Sequence, residues 1–182
     1  MSIKLVIFGH DGVIMDSISH IYDAVSTLCF EHPSFGKKAV PTFPNFLEFF
    51  RLPGDQWFKS HDFDFPLEVI TKTLHQAPDK AEMFSTVPPM LQRLKRESRL
   101  PVIIISAGDQ TRIERQLGEG KVRNHFESVI GEAQDKAMAI RWFCSAFEIR
   151  AEEAVYIGDR PSDMEHGCEA GVPTIGFTDD QP

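Results

Sequence analysis

The chain has 182 residues, of which 42% are hydrophobic and 25% are charged. A chain of this length buries enough surface to fold without a disulfide or a structural metal. Its net charge of −8 argues against a nucleic-acid or membrane-surface partner, because such partners select a basic face.

The beginning of the chain predicts a strand followed by a helix. The segment "IKLVIF" (3–8) is short, apolar and bounded by Gly9, which is typical of a buried strand. Residues 17–30 then repeat apolar side chains at helical spacing, with Asp16 or Ser17 as the N-cap.

The next part of the chain is rich in aromatic residues. Nine of the fifteen phenylalanines lie between Phe30 and Phe65. The simplest interpretation is the core of a small helical module. The alternative is an aromatic docking surface for a protein partner, because the density of phenylalanine is high for so short a segment. Short helices are predicted at about 44–52, 54–60 and 66–76.

From residue 86 onward, strands and helices alternate. The predicted strands are 101–106, 128–131, 154–159 and 173–177, and the predicted helices are 87–98, 109–117, 136–147 and 161–171. Continuous apolar runs in the strands indicate a parallel sheet that is covered on both faces. The predicted fold class is therefore α/β, a Rossmann-like parallel sheet with helices on both faces. Residues 1–16 and 86–182 form it, and 17–85 form a small helical insertion after the first strand.

Polar residues follow the ends of several predicted strands. Ligands bind at the carboxyl edge of a parallel sheet, so these residues are the candidates for a site. They are Gly9-His10-Asp11-Gly12 after the first strand, Ser106-Ala107-Gly108 after the second, Asp135-Lys136 before a helix, and Asp159 and Asp163 after strand 154–159. An acid, a hydroxyl, an ammonium and an acid pair are thus expected at one edge.

These segments resemble the haloacid dehalogenase (HAD) superfamily of phosphatases. The resemblance covers residues 1–16 and about 86–177. It is carried by "LVIFGHDGVIMDS", "VIIISAGD", "DKAMAI", "VYIGDRPSD" and "CEAGVPTIGF". The helical insertion 17–85 resembles the cap that this family carries at that point.

The resemblance implies a departure at the first motif, which is D-x-D-G in the family. The first Asp of that motif attacks phosphorus and binds Mg²⁺. The second passes a proton to the leaving group and offers its carbonyl to the metal. Asp11 matches the second Asp, whereas Gly9 stands at the position of the nucleophile.

The resemblance also implies roles for the other strand-end residues. Ser106, with the amide of Ala107, matches the phosphate-holding motif, and Lys136 matches the lysine that neutralises the phosphoryl oxygens. Asp159 and Asp163 match the acidic motif that completes the Mg²⁺ site. Carboxylates suit a hard cation, and a lysine suits a phosphate.

Taken together, the resemblance implies a phosphomonoester phosphatase type of protein with a Mg²⁺ site and a phosphate or small phosphorylated molecule as its ligand. Gly9 implies that catalysis is weak or lost, as in a pseudoenzyme, and that Mg²⁺ binds weakly because one anionic ligand is missing. The alternative is a non-catalytic protein that binds a phosphorylated metabolite, or a regulatory partner through the Phe-rich insertion.

Two further readings of the sequence carry less weight. His10 could act as the nucleophile, but strand alternation puts Gly9 and Asp11 on one side and His10 on the other, which favours a packed histidine. The segment "HDFDF" (61–65) could hold a metal, but a solvated loop anchored by its phenylalanines is the favoured interpretation.

The cysteines indicate the cellular environment. Cys29, Cys144 and Cys168 are odd in number and widely spaced, which is typical of reduced thiols in a cytoplasmic protein. We expect Cys29 and Cys144 to be buried. No signal peptide is recognised, and no apolar run approaches the ~18 residues of a membrane-spanning helix.

Overall fold

The computed structural model describes residues 2–32, 40–51 and 54–178. The chain forms two compact units, one made of Met1–Asp16 and Glu82–Pro182 and the other of Ser17–Ala81. Phe35 and residue 52, the last of the predicted helix 44–52, lie outside the described residues.

The strands all belong to the first unit. In chain order they are β1 (Leu5–Phe8), β2 (Met15–Asp16), β3 (Glu82–Met83), β4 (Val102–Ile105), β5 (Ser128–Ile130), β6 (Ala154–Gly158) and β7 (Thr174–Gly176). Five of them form a parallel sheet in the order β5-β4-β1-β6-β7. Phe8 of β1 pairs with Ile104 on one side and with Ile157 on the other, so the ends of β4 and β6 flank the end of β1. The predicted α/β fold class is confirmed.

The helices divide between the two units. Those of the second unit are α1 (Ile18–Glu31), α2 (Phe43–Phe49), α3 (Asp55–Ser60) and α4 (Leu67–Gln76). Those of the first are α5 (Val87–Glu97), α6 (Gln110–Glu119), α7 (Lys136–Ala146) and α8 (Pro161–Ala170). Three short 3-10 turns complete the order, at Ala77–Lys80, Arg123–His125 and Ala151–Glu153.

A small antiparallel pair was not foreseen from the sequence. Met15 pairs with Met83 and Asp16 pairs with Glu82, which joins β2 to β3. Strands of two residues are too short to leave a periodic pattern in the sequence. The pairing assigns Glu82–Met83 to the first unit, whereas the sequence prediction assigned residues up to 85 to the insertion.

The central sheet is apolar on both faces. One set of alternate residues packs against α7 and α8, in a cluster that contains Leu5, Ile7, Ile103, Ile105, Tyr156, Ile140, Phe143 and Val172. The other set, such as Val6 and Ile104, points to the opposite face and is also buried. This explains why the strands show continuous apolar runs rather than alternation.

The second unit has an aromatic core. Its buried cluster comprises Ile21, Val25, Cys29, Phe46, Phe50, Trp57, Phe58, Phe63, Ile70 and Leu74. The indole of Trp57 packs edge-on against Phe46, Phe50 and Phe58, with ring centroids 5.1–6.0 Å apart. The simple interpretation of the phenylalanines as a core is thus confirmed for most of those described, and their number no longer favours a docking surface.

The cysteines follow the prediction. Cys29 and Cys144 are buried thiols, and Cys168 is exposed. Burial raises the pKa of the Cys29 thiol to about 12, which keeps it protonated and unreactive. In the described ranges, every helix is too short or too polar to cross a bilayer.

Candidate active site

The predicted site residues lie in the first unit, where the strand order reverses. The chain runs from β1 to β4 on one side of it and later returns to β6 on the other side. Such a switch point opens a crevice at the carboxyl ends of the strands. We call the residues placed there the strand-end site: Gly9, Asp11, Ser106, Ala107, Arg112, Lys136, Asp159 and Asp163.

The loop after β1 is a tight turn. The amide of Gly12 donates to the carbonyl of Met15 at 2.8 Å, and the amide of Ile14 donates to the carbonyl of His10 at 2.8 Å. Strand geometry therefore ends before His10, and the alternation of side chains ends with it. His10 Nδ1 lies 3.6 Å from Asp11 Oδ1, and the burial of this side chain confirms the expected packed histidine.

His10 itself is deeply buried. Only 1% of the residue is exposed, and neither ring nitrogen has a hydrogen-bond partner in the ranges that the structure describes. Buried polar atoms are usually paired, so two orphaned nitrogens beside a carboxylate are unusual.

Asp11 is held by an arginine that the sequence prediction did not include. Arg112 Nη1 donates to Asp11 Oδ1 at 2.9 Å, and Nη2 donates to Oδ2 at 2.8 Å. Burial by itself would raise the pKa of Asp11, but the interactions with His10 and Arg112 hold that pKa well below its usual range. Asp11 is therefore an ionised carboxylate with a fixed orientation.

Ser106 and Arg112 approach each other beside Gly108, which has no side chain to separate them. A Cβ atom built on Gly108 would lie 2.4 Å from Arg112 Nη2, 3.0 Å from Asp11 Oδ2 and 3.3 Å from Ser106 Oγ. Only glycine leaves room for these three groups around one point. Ser106 Oγ also accepts from the amide of Gly108 at 3.1 Å. Ala107 lies between Ser106 and Gly108, in the loop that leads to the N-terminus of α6.

The loop after β6 binds the predicted lysine. Lys136, the first residue of α7, donates from Nζ to Asp163 Oδ1 at 2.7 Å. The hydroxyl of Tyr156 donates to the same oxygen at 2.7 Å. Asp163 Oδ2 accepts from the backbone amides of Asp159 and Arg160, both at 3.2 Å. Burial opposes ionisation of Asp163, yet Lys136 and these donors lower its pKa to about 2.

Asp159 has a different environment. Its Oδ2 lies 3.7 Å from Arg160 Nε. Burial raises the pKa of Asp159 above its usual value, the charge of Arg160 opposes this rise, and the charge of Asp163 adds to it. The two acids of this loop therefore differ: Asp163 stays ionised, whereas Asp159 holds a proton more readily.

Gly9 has room for a side chain. A Cβ atom on Gly9 would lie 3.3 Å from Val13 Cγ2 and 3.5 Å from the carbonyl oxygen of Ile157. The backbone of Gly9 is not in the left-handed region that favours glycine. The position would thus accept a Cβ atom with a small shift of Val13.

The carboxylates of the site do not form a metal cage in this arrangement. Among the described residues, no group of three or more His, Cys, Asp or Glu side chains could hold an ion, and the segment 61–65 forms no such group either. Asp11 is paired with Arg112 and Asp163 with Lys136. A cation would have to displace these partners, so the oxygen ligands suit Mg²⁺ in kind but not in arrangement.

Two residues of this site were missed by sequence reasoning. Arg112 sits in the first turn of α6, on the same side as the buried Gln116, and its guanidinium donates to Gln116 Oε1 at 3.1 Å. The sequence did contain a signal for Arg112. This basic residue shares the inward side of α6 with Ile113, Gln116 and Leu117. Tyr156 was read only as part of an apolar strand, and its hydroxyl gave no signal.

Solved structures share this fold. A haloacid dehalogenase-like hydrolase from Streptococcus pneumoniae superposes with a TM-score of 0.74 at 21% identity, over 97% of this chain and 85% of that one. A predicted phosphoglycolate phosphatase from Haemophilus somnus has a TM-score of 0.72 at 12% identity, over 98% and 86%. A HAD family hydrolase from Deinococcus radiodurans with bound phosphate and sodium has a TM-score of 0.67 at 19% identity, over 96% and 80%.

Sequence comparison agrees with the structural comparison at the level of the family. None of the curated proteins matches this chain. The model of the haloacid dehalogenase-like hydrolase family matches residues 6–177, which is nearly the whole chain and includes every residue of the strand-end site. This chain belongs to the haloacid dehalogenase-like hydrolase family.

Proposed function

We propose that this chain is a phosphate-binding protein of the phosphomonoester phosphatase type, in which Gly9 replaces the nucleophilic aspartate and turnover is weak or absent. One observation carries the proposal: the strand-end site keeps Asp11 and Ser106 at neighbouring strand ends and Lys136 at the start of α7, while Gly9 presents no side chain. Covalent phosphoryl transfer needs a nucleophile in line with the leaving group, and glycine cannot supply one.

The ligand that fits the site is a small phosphorylated molecule or phosphate itself. Ser106, the amide of Ala107 and the N-terminus of α6 offer hydrogen-bond donors, and Lys136 adds a positive charge. Two of the similar structures support this choice, one described as a predicted phosphoglycolate phosphatase and one with bound phosphate.

The remaining groups take the following roles. Asp11 handles the proton of the leaving group in whatever turnover persists. Its carbonyl, with Asp159 and Asp163, would hold Mg²⁺ only after Lys136 and Arg160 moved aside, and the ion would then supply positive charge to the phosphoryl oxygens. We expect weak binding of this ion, because Lys136 and Arg160 already lie beside these carboxylates.

The second unit and the cellular location complete the proposal. Ser17–Ala81 is inserted directly after the β1 loop and its small strand β2, which supports a role as the cap module of this family. Two buried thiols and an exposed unpaired Cys168 support a reducing, cytoplasmic environment.

Binding and turnover are measured separately to test this function. Inorganic phosphate is expected to raise the melting temperature of the protein, and hydrolysis of a panel of phosphorylated metabolites with Mg²⁺ is expected to be near the uncatalysed rate. Ser106→Ala should reduce the shift, while Ser145→Ala, an exposed serine on α7, serves as the matched control. Robust turnover that Asp11→Asn abolishes would show that another group attacks, and the proposal would be wrong.

A further inference from the structure

Each carboxylate of the strand-end site has a basic side chain beside it. Arg112 forms two hydrogen bonds with Asp11, and Lys136 forms one with Asp163. Arg160 Nε lies 3.7 Å from Asp159. With Arg160 counted, three basic side chains therefore lie beside the three aspartates of the site.

Two of these contacts involve an arginine, and Arg112 is more deeply buried than Arg160. Only 4% of the Arg112 side chain is exposed. Its Nη1 also donates to Gln116 Oε1 at 3.1 Å, which fixes the plane of the guanidinium. The Nε atom is buried and has no hydrogen-bond partner within the described ranges. A buried arginine of this kind is positioned by the fold rather than by solvent.

The guanidinium also reaches the phosphate-holding loop. Arg112 Nη2 and Ser106 Oγ both lie within 3.3 Å of one point beside Gly108. Each Nη atom of arginine carries two hydrogens. Nη2 can therefore donate to Asp11 and, at the same time, to an oxygen of an anion bound next to Ser106.

The aspartates of this buried site need positive charge nearby, because an isolated buried charge lowers the stability of the fold. In a site with aspartate at position 9, there would be one more carboxylate than basic groups. Here Gly9 removes that carboxylate, and the basic side chains already balance those that remain.

We infer that Arg112 takes the place of a divalent cation in this site, so that phosphate and phosphomonoesters bind beside Ser106 and Arg112 without any requirement for Mg²⁺. This inference rests on the proposed function, since it concerns how the same site holds its phosphate. The arginine neutralises Asp11 and supplies a fixed donor to the anion.

Calorimetric titration of the full chain with inorganic phosphate tests the inference. We expect the same dissociation constant in EDTA and in millimolar Mg²⁺. Arg112→Gln should weaken phosphate binding in EDTA about tenfold or more, and Mg²⁺ should restore part of the affinity. Arg115→Gln, on the same helix but paired with Glu119 at the surface, should behave as the unaltered chain.

A second variant keeps the test decisive if Arg112→Gln does not fold. Arg112→Lys keeps the charge but loses the two-point contact with Asp11, and we expect an intermediate affinity in EDTA. Circular dichroism and a melting curve confirm that each variant is folded. The comparison of EDTA with Mg²⁺ on the unaltered chain needs no variant at all.

The outcomes separate the two claims. If Mg²⁺ strengthens phosphate binding to the unaltered chain tenfold or more, Arg112 does not replace the cation, while the proposed phosphate-binding function stands. If folded Arg112→Gln binds phosphate in EDTA as tightly as the unaltered chain, the inference is also overturned. If the folded, unaltered chain binds no phosphate in either condition, the proposed function fails and the inference fails with it.

Discussion

The loops after β1 and β6 are neighbours at the sheet edge, yet they hold their acidic residues in different ways. Asp163, in the first turn of α8, is 2% exposed and has four donors, two of which are backbone amides of the β6 loop. The carboxylate of Asp11 is 19% exposed and is held by the side chain of Arg112. Asp163 is thus enclosed by donors that tie the β6 loop to α8, whereas Asp11 keeps part of its carboxylate exposed.

The difference teaches that the presence of a family residue does not by itself indicate chemistry. Asp163 and Lys136 satisfy buried backbone and side-chain groups, so they have a structural reason to be where they are. Asp11, in contrast, is held at two points by the side chain of Arg112. The β1 loop is consequently the place where the predictions below begin.

The largest expected effect comes from restoring a carboxylate to the β1 loop. Gly9→Asp should raise phosphomonoester hydrolysis by several orders of magnitude, because removal of a nucleophile costs roughly six orders of magnitude in an enzyme. The space around Gly9 accepts a Cβ atom after a small shift of Val13, and circular dichroism checks that the variant is folded. The measurement is release of phosphate from a metabolite panel with Mg²⁺.

Gly9→Asn is the matched control, since it adds the same volume without a nucleophilic oxygen. Equal rates for the two folded variants would contradict a nucleophilic role of this position and would remove the main contrast between the two loops.

The next effect concerns stability of the β6 loop. Asp163→Ala should lower the free energy of unfolding by about 3 kcal/mol, because it leaves Lys136, the Tyr156 hydroxyl and two amides without their acceptor. Urea unfolding at neutral pH measures it. Glu169→Ala, on the same helix as Asp163, breaks an exposed pair with Arg141 of α7 and should change little. Equal losses of stability in the two variants would contradict the structural role of Asp163.

A smaller effect is expected at Tyr156. Its hydroxyl donates to a charged carboxylate, so Tyr156→Phe should cost about 1.5–3 kcal/mol. Tyr22→Phe removes a bond to the neutral carbonyl of Pro41 and should cost about 1 kcal/mol. Thermal and urea unfolding of both variants gives the difference. A larger loss at Tyr22 would mean that the Asp163 network adds nothing beyond an ordinary hydrogen bond.

The smallest effect tests the contact between Gly108, in the loop after β4, and Arg112, which holds the acid of the β1 loop. Gly108→Ala places a methyl group 2.4 Å from Arg112 Nη2 and should cost about 1 kcal/mol as the guanidinium moves. Gly118→Ala, on the same helix as Arg112, has nothing within 4 Å and should instead stabilise the protein slightly, by about 0.5 kcal/mol. If both alanines stabilise the protein, the close approach of Arg112 to Gly108 is not part of the native state.

The sequence alone determined the architecture of the first unit. Apolar runs such as Val102–Ile105, each followed by a helical pattern, indicate parallel strands covered on both faces, because a buried strand needs apolar residues at every position. The order of polar residues after the strands indicated the site, because parallel strands bring their carboxyl ends to one edge. The absence of a carboxylate at Gly9 is likewise a property of the sequence.

Only the tertiary structure decided which groups meet at that edge. The contact between Asp11 and Arg112 joins residues 101 positions apart, and no local periodicity records such a separation. The contact of the packed His10 with Asp11 likewise depends on the tight turn that ends strand geometry after Phe8. Local patterns specify helices and strands, but the pairing of charges depends on the way helices such as α6 pack onto the sheet.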